Sequence, residues 1–235
     1  MLIGAALALC AVASSARAAA TAGQAGSFLQ QQPWARGAAL GGAMTALTDD
    51  SSSLHWNPAG LARLVKPEGA ATHVTLFEDT SYDFLAGGFP VRKWGGFAGG
   101  FIRQSSGGFE RRANPNEAST TFSISQSAWV GGWGIGLPYV DVGLAAKSVR
   151  EEIDQVTATG TGVDLGFIAR PGHGWLIGAR AANLLAPKLT FMSTPIEYSR
   201  SYDFSPVYSF AHGREWKSSL AVKITKTVGQ SADIS

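Results

Sequence analysis

From about Gly69 onward the chain alternates apolar residues with small or charged ones at period two, the pattern of β-strands rather than helices. The clearest run lies within Tyr139 to Arg150. There Val140, Val142, Leu144 and Ala146 face one way, and Asp141, Gly143, Ala145 and Lys147 face the other. The next run repeats it, with Val163, Leu165, Phe167 and Ala169 opposite Asp164, Gly166 and Arg170. A third sets Trp175, Ile177, Ala179 and Ala181 against Gly178 and Arg180. A fourth sets Trp216, Leu220, Val222 and Ile224 against Lys217, Ser219 and Lys223. Less regular strands are expected over 70–78, 82–91, 94–104 and 119–136. In the last of these Phe122 and Ile124 do not share a face with Trp129, Trp133 and Ile135, which a bulge or a missed turn near Gln126 to Ala128 would explain. Leu137-Pro138-Tyr139 and Arg170-Pro171-Gly172-His173 read as tight turns. Residues 104–117 and 186–213 read as longer loops, with Tyr202, Phe204, Tyr208 and Phe210 marking a further strand inside the second. The count is about eight or nine strands.

Ahead of these strands the signals are helical and irregular. Asn57 suits a helix N-cap and Pro58 the first helical position, so a turn or two should run through Leu61 and Leu64. Asp49 or Asp50 can cap a short turn reaching Leu54. Residues 36–68 therefore read as two small helical turns joined by tight loops, with Gly37, Gly41, Gly42 and Gly60 letting backbone approach backbone. Residues 19–35 are rich in Ala, Gly and Gln. Met1 to Ala13 is apolar, and Ala16-Arg17-Ala18 offers a signal-peptidase site. The expected organisation is a signal peptide over 1–18, an N-terminal segment over 19–68 and strands over 69–235.

Composition sharpens the class without deciding it. Charged residues are 15% of the 235, glycine numbers 29, and there are seven Trp and twelve Phe. Soluble globular domains carry about 25% charged residues. A sheet with one face in lipid fits this balance, and so does a soluble sandwich with its apolar face on a second sheet. No run of about 18 apolar residues follows residue 20, so a membrane reading requires strands. The net charge is +2 with no dense basic stripe, which gives no nucleic-acid signal. The one cysteine, Cys10, lies in the expected signal peptide.

The stretch Arg36 to Leu64 carries a resemblance. Gly41-Gly42-Ala43, then Asp49-Asp50, then Trp56-Asn57-Pro58-Ala59-Gly60-Leu61, followed by strands, resembles the FadL-type transporters and, more closely, the PorV/PorQ and UPF0164 group of outer-membrane proteins. The resemblance implies an all-β fold: an antiparallel transmembrane β-barrel with a short N-terminal helical plug inside it. It implies a plug or hatch role for Gly41, Gly42, Asp49, Asp50, Asn57, Pro58, Ala59 and Gly60. The alternative reading of that segment is a cap packed on a sheet end. An eight-stranded barrel has room inside for side chains only, so the strand set reads as truncated or as that of a shortened relative whose plug sits differently.

Catalytic chemistry is not expected. His55, His73, His173 and His212 show no metal-ligand spacing, and no C-x-x-C, H-E-x-x-H or G-x-S-x-G occurs. Glu151-Glu152 with Asp154 reads as a solvated strand end. Gly160-Thr161-Gly162 reads as close-packed strand. No cofactor is expected. Arg103, Arg111, Arg112, Lys147, Arg150, Arg170, Arg180, Lys217 and Lys223 either line an interior, meet lipopolysaccharide near a rim, or serve solubility. Three functions compete: passage of a hydrophobic small molecule through the bacterial outer membrane; a PorV-like shuttle or scaffold for secreted protein cargo of a type IX-like system; and a soluble periplasmic binding protein. The expected partners are outer-membrane lipid and lipopolysaccharide, with the small molecule or the cargo.

Overall fold

In a computed structural model the described residues are 25–32, 34–77, 79–111, 120–154, 156–191, 193–212, 216–228 and 232–234. The expected signal peptide lies outside them. Short helical pieces come first: a 3-10 turn at Ser27–Gln30, helices at Ala35–Ala39 and Ser53–Trp56, and a 3-10 helix at Pro58–Arg63. The strands follow: β1 Glu68–Thr75, β2 Thr80–Val91, β3 Gly95–Arg111, β4 Thr120–Gly136, β5 Val140–Ile153, β6 Val156–Gly172 and β7 Trp175–Leu185. Then come β8 Lys188–Phe191, β9 Thr194–Glu197, β10 Ser201–His212, β11 Trp216–Ala221, β12 Ile224–Thr227 and β13 Ala232–Ile234.

All pairings are antiparallel. The main sheet has 11 strands in the order β1 to β7, then β10, β12 and β13, with β11 also on β10; β8 and β9 form a separate hairpin. The chain is thus all-β and antiparallel. Among the described residues the sheet does not close, since β1 pairs with β2 alone and β13 with β12 alone. The sheet nevertheless curls. His55 packs its ring 6.3 Å from that of Phe84 on β2, while the neighbouring Trp56 lies 5.8 Å from the Lys223 ammonium, which precedes β12. In a flat sheet β2 and β12 would stand seven strand spacings apart, roughly 34 Å.

On β5, β6, β7 and β10 the outward positions are mostly apolar and many of the inward ones are charged. Val142, Leu144, Leu165, Phe167, Trp175 and Phe204 point outward and are half-buried or exposed, whereas Asp141, Lys147, Glu151, Asp164 and Asp203 point inward and are buried. Apolar burial is concentrated between the N-terminal segment and β2 to β6: Leu54, Leu61, Leu64, Phe84, Ala86, Ala98, Ile102 and Ala128 join one cluster, which Phe28, Leu189 and Tyr198 extend.

Several expectations change. Residues 104–111 are not loop but the end of β3, and the 186–213 region holds β8, β9 and β10. Among the described residues the strands number thirteen rather than eight or nine. There is neither bulge nor turn at Gln126 to Ala128, where register with β3 is continuous. Phe122 and Ile124 face inward while Trp129 and Trp133 face outward, so it is the apolar side that changes along an unbroken strand. The irregularity lies on the neighbouring strand, at Gly107 and Gly108, between the pairs Ser106–Ile124 and Phe109–Phe122. Gly108 has φ +77° there, a conformation open to glycine. The last expected strand breaks into β11 and β12 opposite Pro206, whose nitrogen has no hydrogen to donate. Val222 still donates to the Pro206 carbonyl, at 3.2 Å.

Candidate functional site

The N-terminal segment lies on the inner face of the curled sheet, and a row of glycines seats it. Gly96, Gly134, Gly143 and Gly166 are register partners on β3, β4, β5 and β6. Over them runs Asn57-Pro58-Ala59-Gly60-Leu61, entirely buried. The fit leaves no space for a side chain. A Cβ would stand 2.0 Å from the Leu61 carbonyl oxygen at Gly96, 2.1 Å from the Pro58 carbonyl carbon at Gly143, and 1.9 Å from Asn57 Oδ1 at Gly166. One strand further, at Gly178, it would meet the Thr45 carbonyl oxygen at 2.6 Å.

Asn57 holds this seat together. Its Oδ1 accepts from Ala59 N–H at 3.1 Å, the expected N-cap, with Pro58 following at the first helical position. Its Nδ2 donates toward three carbonyls: Thr45 at 2.7 Å, Phe167 on β6 at 3.1 Å and Ala179 on β7 at 3.3 Å. One amide thus caps a helix, ties two parts of the segment and fastens both to the wall. Gly60 is a close approach too, with a Cβ meeting Thr48 and Ser53 within 2.7 Å.

The other expected residues separate from this centre. Asp49 is exposed and takes a 2.6 Å bond from Arg36. Asp50 accepts from Ser52 N–H at 2.9 Å, so of the two it is the cap of the turn leading to Leu54. Gly41 and Gly42 form a turn with φ of +58° and +84°. Gly41 has open space around it, so its role is conformational and not the close approach expected of it.

Charged residues fill the remaining inner face in a chain that alternates in sign. Lys147 on β5 meets Asp164 on β6 at 2.7 Å, and Asp164 meets Arg180 on β7 at 3.0 Å. Arg180 and Lys223 each approach Asp203 on β10 at 3.8 Å, and Thr225 donates to Asp203 at 2.7 Å. A second group joins the segment to the wall near the opposite end, where Arg63 and Arg170 bracket the buried Asp141 at 3.0 and 2.6 Å. Burying charges of one sign costs several kcal/mol each, on the order of the attraction that pairing returns, so these rows fix position more than they add stability. Of the basic residues, Lys147, Arg170, Arg180 and Lys223 pair inward; Arg103 and Arg150 lie on the outward face, beyond its apolar band. Glu151 is not in a solvated loop: it is buried on β5 and bonded to the Tyr198 hydroxyl. Burial, then that carboxylate, holds the Tyr198 phenol far above its usual value. Arg111, Arg112, Lys217 and His212 have no described side chains.

His55 is neither turn nor wall; it is buried in the segment, edge-on to Trp56 at 4.7 Å. Burial, followed by the positive charges of Arg180, Lys223 and Lys147 against that of Asp164, holds its pKa down to about 3. The folded state therefore keeps His55 neutral where the unfolded chain, at 6.5, takes a proton. Its contribution to stability is intact above pH 6.5 and falls away as the pH drops from 6.5 toward 3. Denaturation at pH 7 and pH 4 should show a loss of up to about 3 kcal/mol from this group. His55→Phe should shrink the difference between the two pH values; an unchanged difference would show that His55 protonates without unfolding. His73 pairs with Asp83 at 2.6 Å on the exposed β1–β2 face, and His173 sits in the β6–β7 turn. Among the described residues no three His, Cys, Asp or Glu are grouped to hold a metal.

The fold and site define a class: an antiparallel curled sheet with an apolar outer band, which holds its own N-terminal helical segment on a glycine seat between an apolar cluster and rows of paired charges. A family model described as an uncharacterised protein family, UPF0164, matches residues 5–128, just over half of the chain and including the whole segment and the first strands. The chain belongs to the UPF0164 family. No curated protein matches it.

Proposed function

We propose that this chain is a bacterial outer-membrane protein of FadL-like design, whose sheet stands in the bilayer with Asn57 and its neighbours as a plug, and that it passes a hydrophobic small molecule. The apolar outer band carries this reading. Outward-facing apolar side chains backed by inward charges are the pattern of a transmembrane β-sheet, and a soluble sheet of this size would bury the apolar face instead. Passage requires the segment to shift, because the described gap between it and the wall at Leu54, His55, Phe84, Gly100, Ile102 and Val130 is about 10 Å³, at the lower limit for one water molecule.

Single-tryptophan variants in vesicles with brominated lipid test the placement. Trp129 is 68% exposed on the outward face and Trp56 is 4% exposed in the segment. Lipid should quench Trp129 strongly and leave Trp56 nearly unchanged. Equal accessibility of Trp129 to an aqueous quencher, with no lipid effect, would favour the soluble periplasmic reading. Entry of an apolar dye into the same vesicles then tests passage. The tightly filled interior favours a second reading, the PorV-like scaffold for secreted proteins, and a sealed vesicle with a correctly embedded sheet would support it.

A further inference from the structure

The sheet contains an uncovered edge in its middle. β6 is 17 residues long, but β7 pairs with it only from Val163 to Gly172. Among the described residues Val156 to Gly162 pairs with β5 on one side and with no strand on the other. This opening is built and not frayed. Between the pairs Leu165–Ala181 and Val163–Leu185, β7 spends four residues where β6 spends two. Asn183 makes that bulge with φ +56°, its N–H bonded to Asp164 at 2.7 Å and its amide to the Ser199 carbonyl at 2.8 Å. After Leu185 the chain turns onto the inner face, where Pro187 and the Lys188 backbone lie against Gly162 and Gly160. β7 therefore cannot extend along β6.

A row of unpaired backbone N–H and C=O groups is a template for another strand. Two hollows adjoin this edge: one crosses from β4 to β6 and ends at Leu185, with Trp129, Ala146 and Val163 along it, and the other lies at the edge itself, lined by Ser148, Thr159, Thr161 and Lys188. Thr157, Thr159 and Thr161 face outward along the edge, and β-branched residues favour strand pairing. We propose that the open edge of β6 over Val156–Gly162 is a docking site for an extended polypeptide segment, taken up by β-augmentation. Main-chain hydrogen bonding selects the occupant, since a lipid has no alternating donors and acceptors to match the edge. Side chains near Leu185 would be apolar, and those beside the threonines small or polar. The site stands whether or not the protein passes a solute.

The test uses the full chain in detergent and a labelled peptide with the sequence of Ala146–Ile153, the segment that already pairs with Val156–Val163 from the other side. Three results are expected. The peptide binds. Alternate backbone N-methylation weakens it by about tenfold or more, through the lost hydrogen bonds. Amide exchange slows within 156–162 on binding while β5 stays protected. Equal affinity of the methylated copy would overturn the proposal, as would full protection of these amides in the free protein. Exposure of β5 amides on binding would overturn it too, because the peptide would then be replacing a strand. A photo-crosslinker at Thr159 that captures only detergent or lipid while the peptide is present would do the same.

Discussion

Asn57→Ala is expected to loosen the N-terminal segment from the sheet and to lower stability by about 3 kcal/mol or more. The substitution removes one cap and one clamp together. The carbonyls of Thr45, Phe167 and Ala179 lose their shared donor in a place where Asn57 is fully buried, and an orphaned buried group costs about 1–3 kcal/mol. Limited proteolysis and denaturation in detergent read the loss. Asn57→Asp keeps the cap acceptor and removes the donor, so a defect as large as that of alanine would locate the effect in the clamp. His55→Ala should cost less, and His173→Ala, in an exposed turn, least. Equal losses at all three positions would refute the central role of Asn57.

The second large effect is expected from a single methyl group. Gly143→Ala and Gly166→Ala would drive Cβ into the backbone of Pro58 and the side chain of Asn57. Overpacking typically costs about 1–3 kcal/mol when neighbours can yield. Here the neighbour at Gly143 is backbone, so the loss should reach or exceed the top of that range. Gly131→Ala is the control: it sits on β4 with nothing within 4 Å and should be near neutral. Comparing folded yield and melting temperature of the three variants decides it. A tolerated Gly143→Ala would mean that the segment does not sit on this seat.

Much of this was legible in the chain. The alternation in β5, β6 and β7 assigns their faces residue by residue, because a period of two needs no knowledge of partners. Asn57-Pro58 announces its cap through local chemistry alone. Ser201–His212 stands out by its aromatics at every second position. What stayed hidden depends on register. Gly96, Gly134, Gly143 and Gly166 lie far apart in sequence and become one row only when four strands align, so each alone reads as a strand glycine. The same holds for Lys147, Asp164, Arg180 and Asp203, whose alternating signs are cross-strand facts. Residues 104–111 looked like loop because Ser105, Ser106, Gly107 and Gly108 are poor strand formers, yet pairing with β4 carries them through. The β6 edge is not legible in the sequence because the bulge that opens it is an offset between β6 and β7, and Asn183 alone marks only a residue that tolerates positive φ.

The Asn57 clamp also sets a problem of timing. Its acceptors on β6 and β7 lie 110 and 122 residues downstream. At about 5–20 residues per second, roughly 10 seconds separate the synthesis of donor and acceptors. A segment made first can thus reach its Asn57 acceptors only after β6 and β7 exist and have aligned. Contacts that distant fold slowly, since loop closure precedes any gain. The waiting chain offers uncovered strands and an unclaimed Asn-Pro-Ala-Gly turn, which makes the interval before docking its period of greatest exposure to aggregation and to proteases.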